Sequence, residues 1–260
     1  MTPKYTKPFF CELTFYNGDI IELEGSGILQ RVLPIATTNL KICKKNIVSA
    51  EIGNLCTKIG VAAFYSFTNL TSVTISDTVK VICGSAFENC YNLNRVIIPN
   101  GVGNVGPNAF SHCHKLVKIK MPDSVREIHR LAFADCVNLK SVKIGNGVEK
   151  IGSYAFYNCT SLPTIDIPNS VVHIGELAFA NCESLTMVNI PSGVISIDRA
   201  VFRGCTNLSS ITIPNTVKSI EPYTFYGCTS LKNVTVSKST KITDEAFCGC
   251  NFKLLQIKRI

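Results

Sequence analysis

Phenylalanine recurs along this chain at a fixed step. It stands at Phe64, Phe87, Phe110, Phe133, Phe156, Phe179, Phe202 and Phe225, each 23 residues after the last, and at Phe247 after a step of 22. Three positions after each comes cysteine: Cys90, Cys113, Cys136, Cys159, Cys182, Cys205, Cys228 and Cys250, with Phe67 in that slot in the first unit. Six positions after the phenylalanine comes leucine, from Leu70 to Leu231. A fixed period of roughly 20 to 50 residues marks a solenoid, because one such unit cannot bury its own apolar face and must stack on its neighbours.

Within a unit the V-x-I step, as in Val142 to Ile144 and Ile165 to Ile167, alternates with the period of a short strand. Proline or glycine ends it, since proline brings no N–H to a ladder. The V-x-x-I step and the Ala-Phe step predict a tight, 3₁₀-like return. Stacking then sets Phe87, Phe110, Phe133, Phe156 and Phe179 in one internal column and Cys90, Cys113, Cys136, Cys159 and Cys182 in another.

The pattern A-F-x-x-C-x-x-L-x-x-V-x-I-P over about nine units, roughly Ala50 to Cys250, resembles the BspA-type leucine-rich repeat. That resemblance implies an α/β solenoid, mostly β: a right-handed superhelix with a parallel sheet on its concave face and short irregular or 3₁₀ convex turns. It also implies adhesion to host or matrix proteins, or cell–cell contact.

Composition bounds the rest. Hydrophobic residues make up 46% and charged residues 17%, which suits a well-filled interior. The net charge of +8 is a mild basic bias that favours acidic partners. No stretch approaches the roughly 18 uncharged apolar residues of a spanning helix. The opening residues lack the apolar run and cleavage site of a secretory leader, so the sequence alone points to the cytoplasm, while the resemblance implies the cell surface or secretion. The 13 cysteines do not read as a disulfide framework, since eight occupy one repeat slot beside Phe and Leu. Free cysteine packs as a small hydrophobe, and stacked side chains with parallel Cβ directions suit a disulfide poorly.

Two domains are expected: residues 1–49 as an N-terminal cap with a degenerate first repeat, and residues 50–260 as the solenoid. In the cap, alternating apolar runs from Phe9 to Leu23 flank Asn17-Gly18, a strong hairpin signal. Leu40 and Ile42 fit a degenerate strand. At the far end Leu255 to Ile257 fits a last edge strand, blunted by Lys253, Lys258 and Arg259.

Few residues suggest chemistry. Gly101 to Gly106 fits G-x-G-x-x-G, but Val102 and Val105 are the V-x-x-I residues of their unit, and a dinucleotide site needs a following helix. His112-Cys113-His114 suggests metal ligands, yet Cys113 is a ladder residue and its neighbours belong to an exposed turn. Cys248-Gly-Cys250 also contains a ladder cysteine, and C-x-x-C is absent. His112, His114, His129 and His173 occupy slots that other units fill with unrelated residues, so no nucleophile site is recognisable. The acceptor triplets at Asn69, Asn158, Asn207 and Asn233 arise mostly from the repeat register. No enzyme activity, cofactor or metal is expected.

A partner would meet the outward residues of the V-x-I strands: Ser72/Thr74/Ser76, Arg95/Ile97/Pro99, Lys118/Lys120/Pro122, Ser141/Lys143/Gly145, Thr164/Asp166/Pro168, Met187/Asn189/Pro191, Ser210/Thr212/Pro214 and Asn233/Thr235/Ser237. Arg95, Lys118, Lys120 and Lys143 fall on three adjacent strands, with Asp166 one strand on. Such a cluster suits an acidic protein loop or an anionic glycan, or simply keeps a solvated face soluble. Nucleic acid is not expected, since the aromatic residues that stack single-stranded bases are missing from this face. The reading is a non-catalytic protein-binding module, monomeric unless built into an assembly. The alternative is an intracellular structural or assembly subunit that uses the solenoid as a rigid spacer.

Overall fold

A computed structural model describes residues 11–23, 26–29 and 44–260. The expected strand at Leu40 to Ile42, and the Phe9 and Phe10 end of the hairpin run, lie outside these residues. The hairpin is β1 (Cys11–Phe15) and β2 (Ile20–Leu23), followed by β3 (Gly27–Leu29), β4 (Ile47–Ile52) and β5 (Cys56–Ile59). Each later coil contributes one strand of the V-x-I step and then one of the V-x-x-I step. They are β6 (Ser72–Ile75), β7 (Val81–Ile82), β8 (Arg95–Val96), β9 (Asn104–Val105), β10 (Lys118–Lys120) and β11 (Glu127–Ile128). Next come β12 (Ser141–Lys143), β13 (Lys150–Ile151), β14 (Thr164–Asp166), β15 (His173–Ile174), β16 (Met187–Asn189) and β17 (Ser196–Ile197). The series ends with β18 (Ser210–Thr212), β19 (Ser219–Ile220), β20 (Asn233–Val236), β21 (Lys241–Ile242) and β22 (Gln256–Arg259).

The V-x-I strands pair in parallel across coils, for example Lys118 with Ser141 and Ile165 with Val188. The apolar residues of each strand go inward and the middle one outward, as the alternation requires. The expected 3₁₀-like return at V-x-x-I is corrected. That step forms a second parallel ladder, running through β3, β5, β7, β9, β11, β13, β15 and β17. Equal coil lengths bring Ile82, Val105 and Ile128 into register, and Gly106 N–H reaches Ile82 O at 2.8 Å. A second correction concerns the outward columns. Pro99, Pro122, Gly145 and Pro191 are buried, because the chain turns there; Pro99 O, for instance, accepts Val102 N–H at 3.1 Å.

The convex turn is built from alternating backbone hands. Residues two before and two after each column phenylalanine from Phe64 to Phe225 are left-handed, such as Ser85 and Asn89 around Phe87 and Asn108 and His112 around Phe110, with φ of 56–61°. Non-glycine residues pay about 1 kcal/mol or more for this conformation. The gain is pairing: Ser85, Phe87 and Asn89 donate to Pro107, Ala109 and Ser111 of the next coil at 2.8–2.9 Å, while Ala86, Glu88 and Cys90 close onto carbonyls three residues back. In the later coils Gly204, Gly227 and Gly249 take the second position at φ 72–76°.

Inside this frame the phenylalanine rings stack at 5.1–5.8 Å within 11° of parallel. These separations mean offset rings, the arrangement that aromatic quadrupoles favour. The cysteine slot has a specific use. Cys90 Sγ lies 3.1 Å from Phe64 O, Cys136 Sγ 3.2 Å from Phe110 O and Cys182 Sγ 3.3 Å from Phe156 O, and the same contact repeats at the other ladder cysteines. Cysteine is small enough for the column and supplies one weak donor to the neighbouring coil. All described cysteines are free.

The ends differ. β1 pairs antiparallel with both β2 and β4, so the hairpin lies against the first coil. Its loop turns at Gly18, φ 89°, with Phe15 N–H on Asp19 O, the left-handed glycine of a three-residue hairpin loop. At the other end β22 pairs in parallel with β20. The shortened last unit puts Thr240 where other coils have valine; it is buried, and its hydroxyl donates to Val217 O at 3.0 Å.

Two outcomes follow from this core. Phe156→Ala removes a ring from mid-stack and is expected to cost about 3–5 kcal/mol, read as a lower midpoint in urea unfolding. Burial pushes the Cys90 and Cys182 thiols up to about 12, and Cys113, Cys159 and Cys205 well above the ordinary value. A folded-state value above the unfolded one stabilises the fold below the unfolded thiol pKa, and that contribution is lost as pH climbs towards the folded value. Thermal stability is therefore expected to hold up to about pH 8.5 and then fall steeply towards pH 12; a flat profile from pH 9 to 11 would contradict the buried-thiol account.

Candidate functional site

The V-x-I face presents its outward side chains in two columns, exposed or half-buried in every coil. Most are neutral: Ser72, Thr74, Asn189, Thr212. Around β8, β10 and β12 they are cationic, and here the face holds an open groove of about 860 Å³. Arg95, Lys118, Lys120 and Lys143 all line it, together with Ile97. Asp166 does not. It belongs to a neighbouring cleft of about 460 Å³ that shares Lys143, although Lys143 and Asp166 are register partners on β12 and β14.

Pairing of β10 with β12 forces the three lysines together. Lys120 stands directly opposite Lys143, and Lys118 opposite Ser141. Like charges in directly opposed sheet positions destabilise a pair. Among the described residues no carboxylate lies within 4.0 Å of any of the four cations; the ion pairs found involve His112, His129 and His173 instead. The sequence singled out these four cations and placed Ile97 among the outward residues without giving it a role. Ile97, 64% exposed, sits where other coils carry Thr74, Lys120 or Thr212, and that departure from polarity was legible. Asp77, Asn94 and Asn100 at the groove's rim carried no signal.

The remaining candidates resolve as architecture. Gly106 is required by coil packing, since a Cβ there would meet Gly84 N at 2.6 Å. Val102 and Val105 are fully buried, and a turn follows Gly106 rather than a helix. Cys113 points inward to Phe87 O at 3.3 Å. His112 and His114 are half-buried rather than exposed, because His114 stacks on Tyr91 at 4.9 Å and His112 approaches Asp135 at 3.7 Å. Burial first, then the neighbouring His112, holds His114 below the ordinary imidazole value. Cys250 donates to Phe225 O at 3.1 Å.

One grouping was not legible. His173 Nδ1 is 2.7 Å from Ser196 Oγ and its Nε2 is 3.4 Å from Asp198 Oδ2. Ladder pairing of β15 with β17 brings them together, His173 opposite Ser196. Acyl-transfer chemistry also needs free N–H donors aimed at a developing oxyanion. The N–H groups of Ile195 and Asp198, one residue before and two residues after Ser196, are instead spent on Val172 O and Ile174 O, each at 3.0 Å.

Comparison with known proteins places this architecture. The family described as BspA type leucine rich repeat region matches in 6 copies, over residues 41–163 and 149–259. The chain belongs to this leucine-rich repeat family. Among solved structures, the leucine-rich repeat protein of T. pallidum is 31% identical, with 70% of this chain and 83% of that one covered and a TM-score of 0.54. A leucine rich cell surface protein from Faecalibacterium prausnitzii is 25% identical, covering 95% and 85%, with a TM-score of 0.45. A leucine-rich repeat protein from Bacteroides ovatus is 23% identical, covering 95% and 90%, with a TM-score of 0.40. No curated protein matches the chain. No helix among the described residues is long and apolar enough to cross a membrane.

Relieving the opposed lysines is a direct check on the site's electrostatics. Lys120→Glu converts a like-charge pair with Lys143 into an attractive one. Chemical denaturation is expected to show a gain of about 0.2–1 kcal/mol; a loss would mean that the lysines are not in repulsion.

Proposed function

We propose that the protein is a non-catalytic binding module that takes an acidic protein partner on its V-x-I face. The observation that carries this reading is the cluster of Arg95, Lys118, Lys120 and Lys143 around one groove with no carboxylate within ion-pair distance among the described residues. Charges held in mutual repulsion lower fold stability, and an anionic partner converts that cost into affinity. Extended repeat faces of this kind spread binding over side chains from several coils. An adhesion-like role agrees with the leucine-rich repeat family to which the chain belongs.

A non-catalytic role is supported by the spent N–H donors beside Ser196. Within the described residues, no three His, Cys, Asp or Glu side chains are grouped to hold a metal ion. The spacer reading draws no support from any one feature of the face, whereas the cation cluster favours recognition.

The test is capture of partners from the native cell on immobilised protein, beside a variant carrying Arg95→Glu, Lys118→Glu and Lys120→Glu. The native protein is expected to retain proteins that the variant loses, with retention falling as salt rises. Equal capture by a variant shown to remain folded would remove the cluster from the function.

A further inference from the structure

The V-x-I ladder has one interruption among the described residues, and it lies in the basic groove. One run of strands is β2-β1-β4-β6-β8 and the next begins at β10; no backbone hydrogen bond joins β8 to β10. In other coils the residue before the strand donates across the rung, as Asn94 N–H does to Thr71 O at 3.0 Å and Lys140 N–H to Val117 O at 2.8 Å. The equivalent bond from Val117 to Asn94 is not made. The coils do not part elsewhere. Phe87 and Phe110 stack at 5.2 Å, Cys113 Sγ reaches Phe87 O, and Val105 pairs with Ile128 in the second ladder. Two neighbouring coils are thus closed on two sides and open on the third.

We propose that this break seats an extended acidic peptide segment, which pairs its backbone with the open edge of β10 and sets its carboxylates against Arg95, Lys118, Lys120 and Lys143. The inference rests on the reading of this face as a protein-binding surface and adds how the partner is held. One observation and two general rules carry it. An open strand edge presents N–H and C=O groups that a further strand can use. The groove lining includes Val96, Ile98 and Ile119, buried where the two strands part, alongside the cations. An added strand alternates its side chains between two faces, so residues facing outward would meet the cations and residues facing inward would meet the valine and isoleucines. The fitting pattern is therefore alternate acidic and apolar, and Ile97, exposed beside the break, extends the apolar contact.

The opposed test uses three probes in solution titrations with the full chain: an acetylated and amidated (Glu-Val)₄ peptide, the same peptide N-methylated at alternate residues, and a sulfated heparin-derived oligosaccharide. The peptide is expected to bind, to bind at least tenfold more weakly after N-methylation, and to lose at least tenfold with Arg95→Glu plus Lys120→Glu. Amide hydrogen exchange at Lys118 to Lys120 is expected to slow when it binds. Equal affinity for the N-methylated peptide, still abolished by charge reversal, would overturn strand addition while leaving the acidic-partner reading in place. Binding of the oligosaccharide with none by either peptide would overturn both. The variants' unfolding temperatures, measured alongside, separate lost binding from lost folding.

Discussion

Everything in this molecule depends on one coil lying in register on the next. The phenylalanine stack makes that register visible, but backbone pairing enforces it. Most coils offer their neighbour three sets of hydrogen bonds: the V-x-I ladder, which lapses between β8 and β10, the V-x-x-I ladder, which lapses between β17 and β19, and the alternating turn around the phenylalanine. A coil of the wrong length would disrupt all three sets. The single shortened unit shows the tolerance. Phe225 and Phe247 still stack at 5.2 Å, and Thr240 fills a valine slot only because its hydroxyl finds Val217 O.

The same requirement explains residues that look dispensable in isolation. A buried carbonyl seeks every donor it can reach. The phenylalanine carbonyl already accepts an N–H from three residues on, and the cysteine of the next coil adds a second, weak donor without widening the column. Left-handed Ser85, Asn89 and Asn108 carry backbone strain because that geometry turns alternate N–H groups towards the next coil. The cost of each is local, and the hydrogen bond it permits is repeated in every turn.

Against this regularity the basic groove is a departure in both charge and pairing. Lys120 opposite Lys143 and the lost rung between β8 and β10 each weaken the sheet face. The aromatic stack and the second ladder carry the coils across the weak point. A repeat array can accept such a local cost because each coil is held to its neighbour by several independent contacts.

The 23-residue period was enough to specify stacking and the phenylalanine and cysteine columns, and the alternating runs around Asn17-Gly18 specified the hairpin. Identical residues at an identical step can be buried only by superposition. The four cations could likewise be named, since alternation along a strand says which residues face out. Other features depend on distances between coils, which no single unit encodes. The V-x-x-I step is too short to distinguish a strand from a turn until a neighbour pairs with it. The prolines after V-x-I look outward by alternation, yet the chain bends and buries Pro99, Pro122 and Pro191. The meeting of His173 with Ser196 and Asp198, and the opening between β8 and β10, were decided only by how adjacent coils settle against each other. Periodicity prescribes which residues are superposed; the separation and tilt of each layer come from the packing of the whole stack.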